Sequence, residues 1–357
     1  MPSASEAIAE RLASGGAVRI AGAGTKANWG RPVDGLDPLP TAALDRVVAH
    51  EPGDFTAVLE AGVRLADAQA EFARTGQMLA LDPPGDGATI GGVVAAADAG
   101  PLRHRYGTPR DVVIGVALAL PDGTVARSGG RVIKNVAGYD LPKLACGSFG
   151  TLGVITEVCV RLHPRPQRTA TAILRHDDPD RLQEIALDLS HRPLEAEALD
   201  VRWEGGQGAL LARFAGAAAA ERARAVASEV DADDEGLWAA QRDGQRGELV
   251  VRVSALPADL ARVLRAAREH DASAVGRAGV GTIWLSLPAG AGAPDVLALR
   301  DRLAPRPCVV SDAPAAVRAA IDPWDVPEGP ALELMRRVKA RFDPHGTCNP
   351  GLFAGGI

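Results

Sequence analysis

Asp82-Pro83-Pro84-Gly85-Asp86-Gly87-Ala88-Thr89-Ile90-Gly91-Gly92-Val93-Val94-Ala95-Ala96 is the stretch on which the reading of this 357-residue chain turns. Two adjacent prolines stiffen the entry, and the Gly91-Gly92 pair lets another backbone or a ligand approach without meeting a Cβ. Small residues follow, as needed where a flat group slides against a helix. Upstream, a short apolar strand, Ala17–Ala21, runs into Gly22-Ala23-Gly24-Thr25-Lys26. Two glycines around one small residue let successive N–H groups converge on an anion, and Thr25 and Lys26 add a hydroxyl and a positive charge. Taken alone, the segment reads equally well as a plain strand–turn. It is not a dinucleotide fingerprint: the third glycine of G-x-G-x-x-G falls on Ala27, and no βαβ unit follows. No G-K-[ST] occurs, which removes the Walker loop.

Further motifs follow in order: Arg105-Tyr106-Gly107-Thr108-Pro109-Arg110-Asp111, Lys134-Asn135-Val136-Ala137-Gly138-Tyr139-Asp140-Leu141, and the glycine-punctuated run Gly147 to Val158. Together with Ala21–Lys26 and Asp82–Ala96, this ordered set resembles the FAD-binding (PCMH-type) domain of the vanillyl-alcohol oxidase/p-cresol methylhydroxylase superfamily. The resemblance covers about residues 1–165 and the tail from Phe342 to Gly351. Within that superfamily, the chain length, the Lys134–Leu141 wording and the short middle region look most like the FAD-binding subunits of bacterial glycolate oxidases.

The resemblance implies FAD held between glycine-rich segments. Ala21, Gly22, Ala23, Gly24, Thr25 and Lys26 would hold the pyrophosphate. Pro84, Gly85, Thr89, Ile90, Gly91 and Gly92 would lie along its other side and the ribose, with Gly107 and Asp111 in the same cofactor set. Gly147, Gly150, Gly153, Val154 and Ile155 would line the adenine and ribityl end. Tyr139 and Asn349 would sit nearer the isoalloxazine, with Asn349 hydrogen-bonded to the ring. A core aromatic at Tyr139 and a turn residue before Pro350 at Asn349 are the plainer readings. Some relatives tether the flavin through a histidine in the first glycine turn. Residues 1–49 contain no histidine, so non-covalent FAD is expected, and His104 keeps a covalent route open.

Oxidation of a 2-hydroxy acid needs a cation for the carboxylate, a base for the hydroxyl proton and a hydride acceptor. Larger hydroxy-acid oxidoreductases of the superfamily carry a histidine-containing metal cluster in the cap. Here His176, His191 and His270 are widely separated and read as surface or helix-end residues, so no metal site is expected. Trp238, Arg242 and Arg252 are the catalytic candidates. Trp238 and Arg242, four apart, would share a helix face toward the flavin, against a reading as exposed helix decoration. The resemblance implies an FAD subunit working beside a larger FAD catalytic subunit and an iron–sulfur subunit, taking part in glycolate oxidation or relaying electrons. A self-sufficient oxidoreductase of a small hydroxy acid or alcohol is the alternative, and an assembly subunit with an empty groove the third reading.

Composition bounds the rest. With 46% hydrophobic and 24% charged residues the chain has material for two packed domains. A net charge of −6 argues against nucleic acid. Four scattered cysteines, Cys146, Cys159, Cys308 and Cys348, have no zinc or iron–sulfur spacing. The N-terminus lacks a signal-peptide pattern and no apolar run reaches membrane-spanning length, so a cytoplasmic protein is expected, peripheral to the inner membrane only through partner subunits. Pro164-Arg165-Pro166 marks a boundary. The expected organisation is α+β: a two-subdomain FAD-binding domain over 1–165, an antiparallel α+β cap over 166–328, and a C-terminal helix and tail over 329–357 returning to the first domain. The cap is predicted to carry strands at Ala170–Arg175, Ala198–Trp203, Ala209–Phe214, Leu249–Ser254 and Thr282–Leu287, with helices near Pro179–Ser190, Ala217–Val230 and Pro257–His270.

Overall fold

The computed structural model describes residues 3–130 and 140–357, so most of the Lys134–Leu141 motif, Tyr139 included, lies outside the described residues. The first domain is built on a five-stranded antiparallel sheet in the order Val47–Glu51, Thr56–Glu60, Val154–Arg161, Val113–Ala119, Val125–Gly129. Its central strands are rich in Val and Ile, as a sheet buried on both faces requires, and all five residues of Thr56–Glu60 are buried. Thr89 caps the helix Ile90–Ala96, its hydroxyl accepting from the Gly92 N–H at 3.3 Å. Gly91 allows that helix to press on the end of the neighbouring strand. A Cβ there would lie 2.7 Å from the Ala61 Cβ and 2.9 Å from the Ala61 carbonyl oxygen, closer than packed atoms tolerate.

Val18–Ala21 pairs in parallel with Asp37–Pro40, and the C-terminal tail completes this small sheet. The Val18 N–H donates to the Thr347 carbonyl at 2.8 Å, and the Asn349 N–H donates to the Val18 carbonyl at 3.0 Å. After the helix Pro330–Phe342, the Asp343 carboxylate accepts the Thr347 and Cys348 N–H groups at 2.8 and 2.7 Å. This reverses the chain and sets Asn349 beside the first glycine turn.

The cap is an eight-stranded antiparallel sheet ordered Glu229–Asp231, Thr169–His176, Gln207–Ala215, Ala198–Glu204, Ser273–Arg277, Thr282–Ser286, Val250–Ser254, Cys308–Asp312. The α+β class with an antiparallel cap is as the sequence implies. The helix expected over Ala217–Val230 is only Ala219–Arg224; the chain then extends and adds Glu229–Asp231 to the sheet edge. The strands Ser273–Arg277 and Cys308–Asp312 were hidden by their shortness and mixed polarity.

Side chains alternate across this sheet. Leu199, Val201, Ala274, Ile283, Leu285, Val251 and Val253 enter the main cap core with residues of the helices Pro179–His191, Leu260–Glu269 and Ala293–Leu303. The opposite face carries Asp200, Val275, Arg277, Trp284, Val250 and Arg252, and it turns toward the first domain. No helix among the described residues is long and apolar enough to cross a membrane.

Candidate functional site

Two adjoining cavities, about 700 and 400 Å³, form a groove between the first glycine turn and the helix Ile90–Ala96. The first is lined by Arg19–Ala27, Trp29, Thr89, Gly92, Ala95, Ala96, Phe149, Asn349 and Leu352; the second adds Thr41, Ala61, Gly91, Gly150, Gly153 and Ile155. Glycine makes this width. A Cβ at Gly22 would strike the Thr89 hydroxyl, and one at Gly150 would come 2.8 Å from Asn349 Nδ2. The N–H groups of Gly22, Ala23, Gly24, Thr25 and Lys26 have no acceptor among the described residues. Unpaired successive donors beside a groove need an external acceptor. A cofactor with a pyrophosphate between two flat or sugar-bearing ends fits such a cradle, and FAD is one.

Of the residues predicted to hold cofactor, Ala21, Gly22, Ala23, Gly24, Thr25, Lys26, Thr89, Gly91, Gly92, Gly150, Gly153, Ile155 and Asn349 line the groove. Ile90 and Val154 are buried core residues. Pro84 and Gly85 lie in the loop before the helix, and Gly147 hydrogen-bonds from its N–H to the Val94 carbonyl at 3.0 Å. Gly107 and Asp111 serve a different purpose from the one expected. Asp111 accepts the Thr108 N–H at 2.7 Å and its hydroxyl at 2.9 Å, closing the cap of a short helix, and Gly107 leaves room for that carboxylate. Asn349 is likewise not free to serve the flavin ring as expected. Its Oδ1 accepts the Ile20 N–H at 2.8 Å and its Nδ2 donates to the Phe149 carbonyl at 2.7 Å, so it staples the two walls of the groove together.

The catalytic candidates separate. Trp238 neither faces the groove nor decorates a surface. It is fully buried against Ala198, Ala209 and Leu211, its indole N–H donating to Thr171 Oγ1 at 2.8 Å. A buried indole needs that acceptor, and the cap sheet supplies it. Arg242, one turn on, pairs with Glu235 at 2.7 Å. Arg252 does face the first domain, and its Nε is buried without a partner.

Around Arg252 lies a charged seam between the two domains. The first domain contributes Asp82, Asp98 and Arg103; the cap contributes Asp200, Arg242, Arg252 and Arg277. Arg277 is fully buried, donates from Nη1 to Asp200 at 2.8 Å and stacks on Trp284 at 4.8 Å. Its Nε and Nη2 have no partner, and the same holds for Asp200 Oδ1, Gln241 Oε1 and both amide atoms of Gln245. Buried polar atoms left unpaired in one zone are a mark of a missing polar ligand or water. Lys26 closes the groove side by approaching Asp98 Oδ2 at 3.0 Å.

Electrostatics follow from this crowding. Burial lowers the pKa of Arg252; Asp98 opposes that and the nearby Arg103 charge adds to it. Burial and the facing Arg277 charge lower Arg103. Burial raises the Asp82 carboxyl to about 7 against the pull of Arg277, the Leu102 N–H and Arg242. It raises Asp200 to about 6 against Arg277 and Gln241. His104 is pushed below the ordinary histidine range by burial and then by Arg105.

Other contacts fix the seam. Arg246 binds Asp312 at 2.6 and 3.0 Å and the Thr25 carbonyl at 3.0 Å, while the Trp29 indole N–H donates to Asp312 at 3.1 Å. Tyr106 donates to Glu197 at 2.7 Å, and Gly279 of the cap has no Cβ to strike the His104 ring. Asp82, Asp98, Asp200, Arg277 and Arg246 were not singled out from the sequence. The available signal was a charge at an alternate position of an otherwise apolar strand, as in Val250–Ser254 and Ala198–Glu204. Among the described residues no group of three or more His, Cys, Asp or Glu is placed to hold a metal ion.

Comparison with known proteins accords with this geometry. Residues 3–129 match the FAD binding domain family, and residues 328–352 match the C-terminal domain of FAD linked oxidases. Over 201 residues the chain is 37% identical to glycolate oxidase subunit GlcE of Escherichia coli, covering 54% of this chain and 57% of that one. Over 135 residues it is 40% identical to the mitochondrial D-lactate dehydrogenase (cytochrome) of Arabidopsis thaliana, covering 38% of this chain and 24% of the relative. Each match thus spans less than two thirds of the relative. An alkyldihydroxyacetonephosphate synthase structure superimposes with a TM-score of 0.68 at 14% identity, over 98% of this chain and 76% of that one, which shows a shared fold. The chain belongs to the FAD-linked oxidoreductases with a PCMH-type FAD-binding domain, and FAD is its cofactor.

Proposed function

We propose that this chain is the FAD-binding subunit of a heteromeric glycolate (2-hydroxy acid) oxidase, with FAD held non-covalently and the substrate oxidised at the seam between the two domains. The observation that carries the reading is the set of guanidinium groups at that seam. Arg252 and Arg277 keep buried N–H donors without partners, and Arg103 approaches both from the other domain. Planar carboxylates match such donors two bonds at a time. Bound FAD supplies the two-electron acceptor.

In this reading the five free N–H groups of Gly22–Lys26 hold the pyrophosphate and fix the cofactor along the groove. Arg252 and Arg277 orient the substrate carboxylate, and Trp284 supports Arg277 from beneath. Arg246, tied to both Asp312 and the Thr25 carbonyl, keeps the cap closed over the glycine turn and limits water at the seam. Neither His nor Cys is among the described residues lining the groove, which favours a non-covalent flavin. The expected partners are a larger FAD subunit and an iron–sulfur subunit that carry electrons onward, in the cytoplasm or at the inner-membrane surface.

The test is anaerobic addition of glycolate or D-lactate to the FAD-loaded chain. Loss of the yellow colour in the wild type, at least about tenfold weaker substrate affinity in Arg252→Met, and unchanged FAD content are expected. Yellow protein that no 2-hydroxy acid reduces until the partner subunits are added would contradict the proposal in favour of electron relay.

A further inference from the structure

The seam holds three carboxylates, and two are already committed. Asp98 is 4% exposed and faces Lys26 at 3.0 Å. Asp200 is fully buried and bound by Arg277 at 2.8 Å and Gln241 at 3.0 Å. Asp82 differs from both. It has no ion-pair partner among the described residues, and it remains partly accessible from the space between the domains. Both of its oxygens lie near one donor, the Leu102 N–H, at 3.1 and 3.2 Å. Gly100 lies against it, leaving no Cβ to displace the carboxyl group.

We propose that Asp82 is the catalytic proton acceptor for the substrate hydroxyl. This rests on the seam being the oxidation site. With the carboxylate of a 2-hydroxy acid on Arg252 and Arg277, the hydroxyl on C2 would be presented to the first-domain wall, where Asp82 stands. The O–H bond breaks and its proton stays on Asp82. The C2–H bond breaks with its electron pair, the hydrogen passing as hydride to the FAD. The C2–O bond becomes a carbonyl, giving the 2-oxo acid and two-electron-reduced flavin, and Asp82 then returns its proton to solvent. A base working near neutral pH should have a pKa near the operating pH, and burial places Asp82 at about 7. The charged groups that face it are Arg277 on Ser273–Arg277, Asp200 on Ala198–Glu204 and Arg242 on Glu235–Asp243.

The experiment follows flavin reduction by glycolate or D-lactate, without air, across pH in the FAD-loaded full chain. The wild-type rate should rise through about pH 7 and level off. Asp82→Asn should slow reduction by about 100-fold or more and lose that limb, Asp82→Glu should recover much of the rate, and His104→Gln should keep the limb. A second readout needs no turnover: the infrared carbonyl band of a protonated carboxyl group, fading as pH rises through about 7 and missing in Asp82→Asn. Wild-type rate and pH limb in Asp82→Asn, a limb that vanishes with His104 instead, or an infrared band unaltered by Asp82→Asn would overturn the assignment while leaving the oxidation site standing. A wild-type chain that no 2-hydroxy acid reduces would overturn the oxidation site, and the assignment with it.

Discussion

The groove and the seam meet at Lys26, yet they are built from opposite materials. The groove is backbone: glycines that remove Cβ atoms, and a run of N–H groups aimed at a ligand. Its chemistry needs no particular side chain beyond what keeps the walls apart. The seam is side chain: four arginines and three aspartates from two domains, crowded where water is scarce. A backbone cradle is rigid and tolerant of pH. A charged seam is conditional, because each buried charge depends on its neighbours and on its proton. The cofactor end of this protein is thus fixed by shape, and the reactive end by balance.

The sharpest way to break that contrast is to unbalance the seam. Arg277→Met should destabilise the chain by about 3–5 kcal/mol in urea unfolding, because it leaves Asp200 buried and uncompensated. Arg277→Met combined with Asp200→Leu should recover most of that loss. In the groove, Gly22→Val drives a side chain toward the Thr89 hydroxyl. It should weaken FAD binding by about 100-fold or more, read as lost visible absorbance after gel filtration, with a folding cost of only about 1–3 kcal/mol.

Changing pH sharpens the comparison. Asp82 and Asp200 hold their protons in the folded chain above the ordinary aspartate range, at about 7 and about 6. The folded state therefore binds more protons than the unfolded one in the window up to those values. Their contribution to stability is full below the unfolded pKa of about 4 and is lost as pH rises through about 7. Urea midpoints across this window should fall with rising pH in the wild type and fall less in Asp82→Asn. Arg246→Ala, which removes the clasp on Asp312 and the Thr25 carbonyl, should cost about 1–2 kcal/mol in the same assay and speed FAD release. Arg74→Ala, which breaks only an exposed pair with Glu71, should cost less than about 0.5 kcal/mol and leave both regions untouched.

The same contrast explains what the sequence reveals. Glycine and proline punctuation is local, so Gly22–Lys26 and Asp82–Ala96 announced the groove, and the spacing of Thr56–Glu60 and Val154–Leu162 announced the sheet. The seam is non-local. Asp82 and Arg277 are remote in sequence and meet only because the cap sheet folds back onto the first domain. Trp238 misled for a related reason. A Trp and an Arg four apart share a helix face, but sequence spacing does not say which neighbour that face meets, and the cap sheet claimed the indole. Asn349 was placed in the right region with the wrong task, because its partners, Ile20 N–H and the Phe149 carbonyl, come from distant loops. Arg252 could be found, as a lone charge between valines, but its company could not.

The central claim is that the flavin in the groove shares a wall with the arginine seam. Oxalate, a carboxylate that carries no C–H bond to give up, tests it directly when titrated into the FAD-loaded chain while the visible flavin spectrum is recorded. A saturable perturbation is predicted for the wild type. In Arg252→Met it should require at least about tenfold more oxalate at the same FAD content. A spectrum that oxalate leaves unchanged, or one perturbed equally in Arg252→Met, would contradict the account.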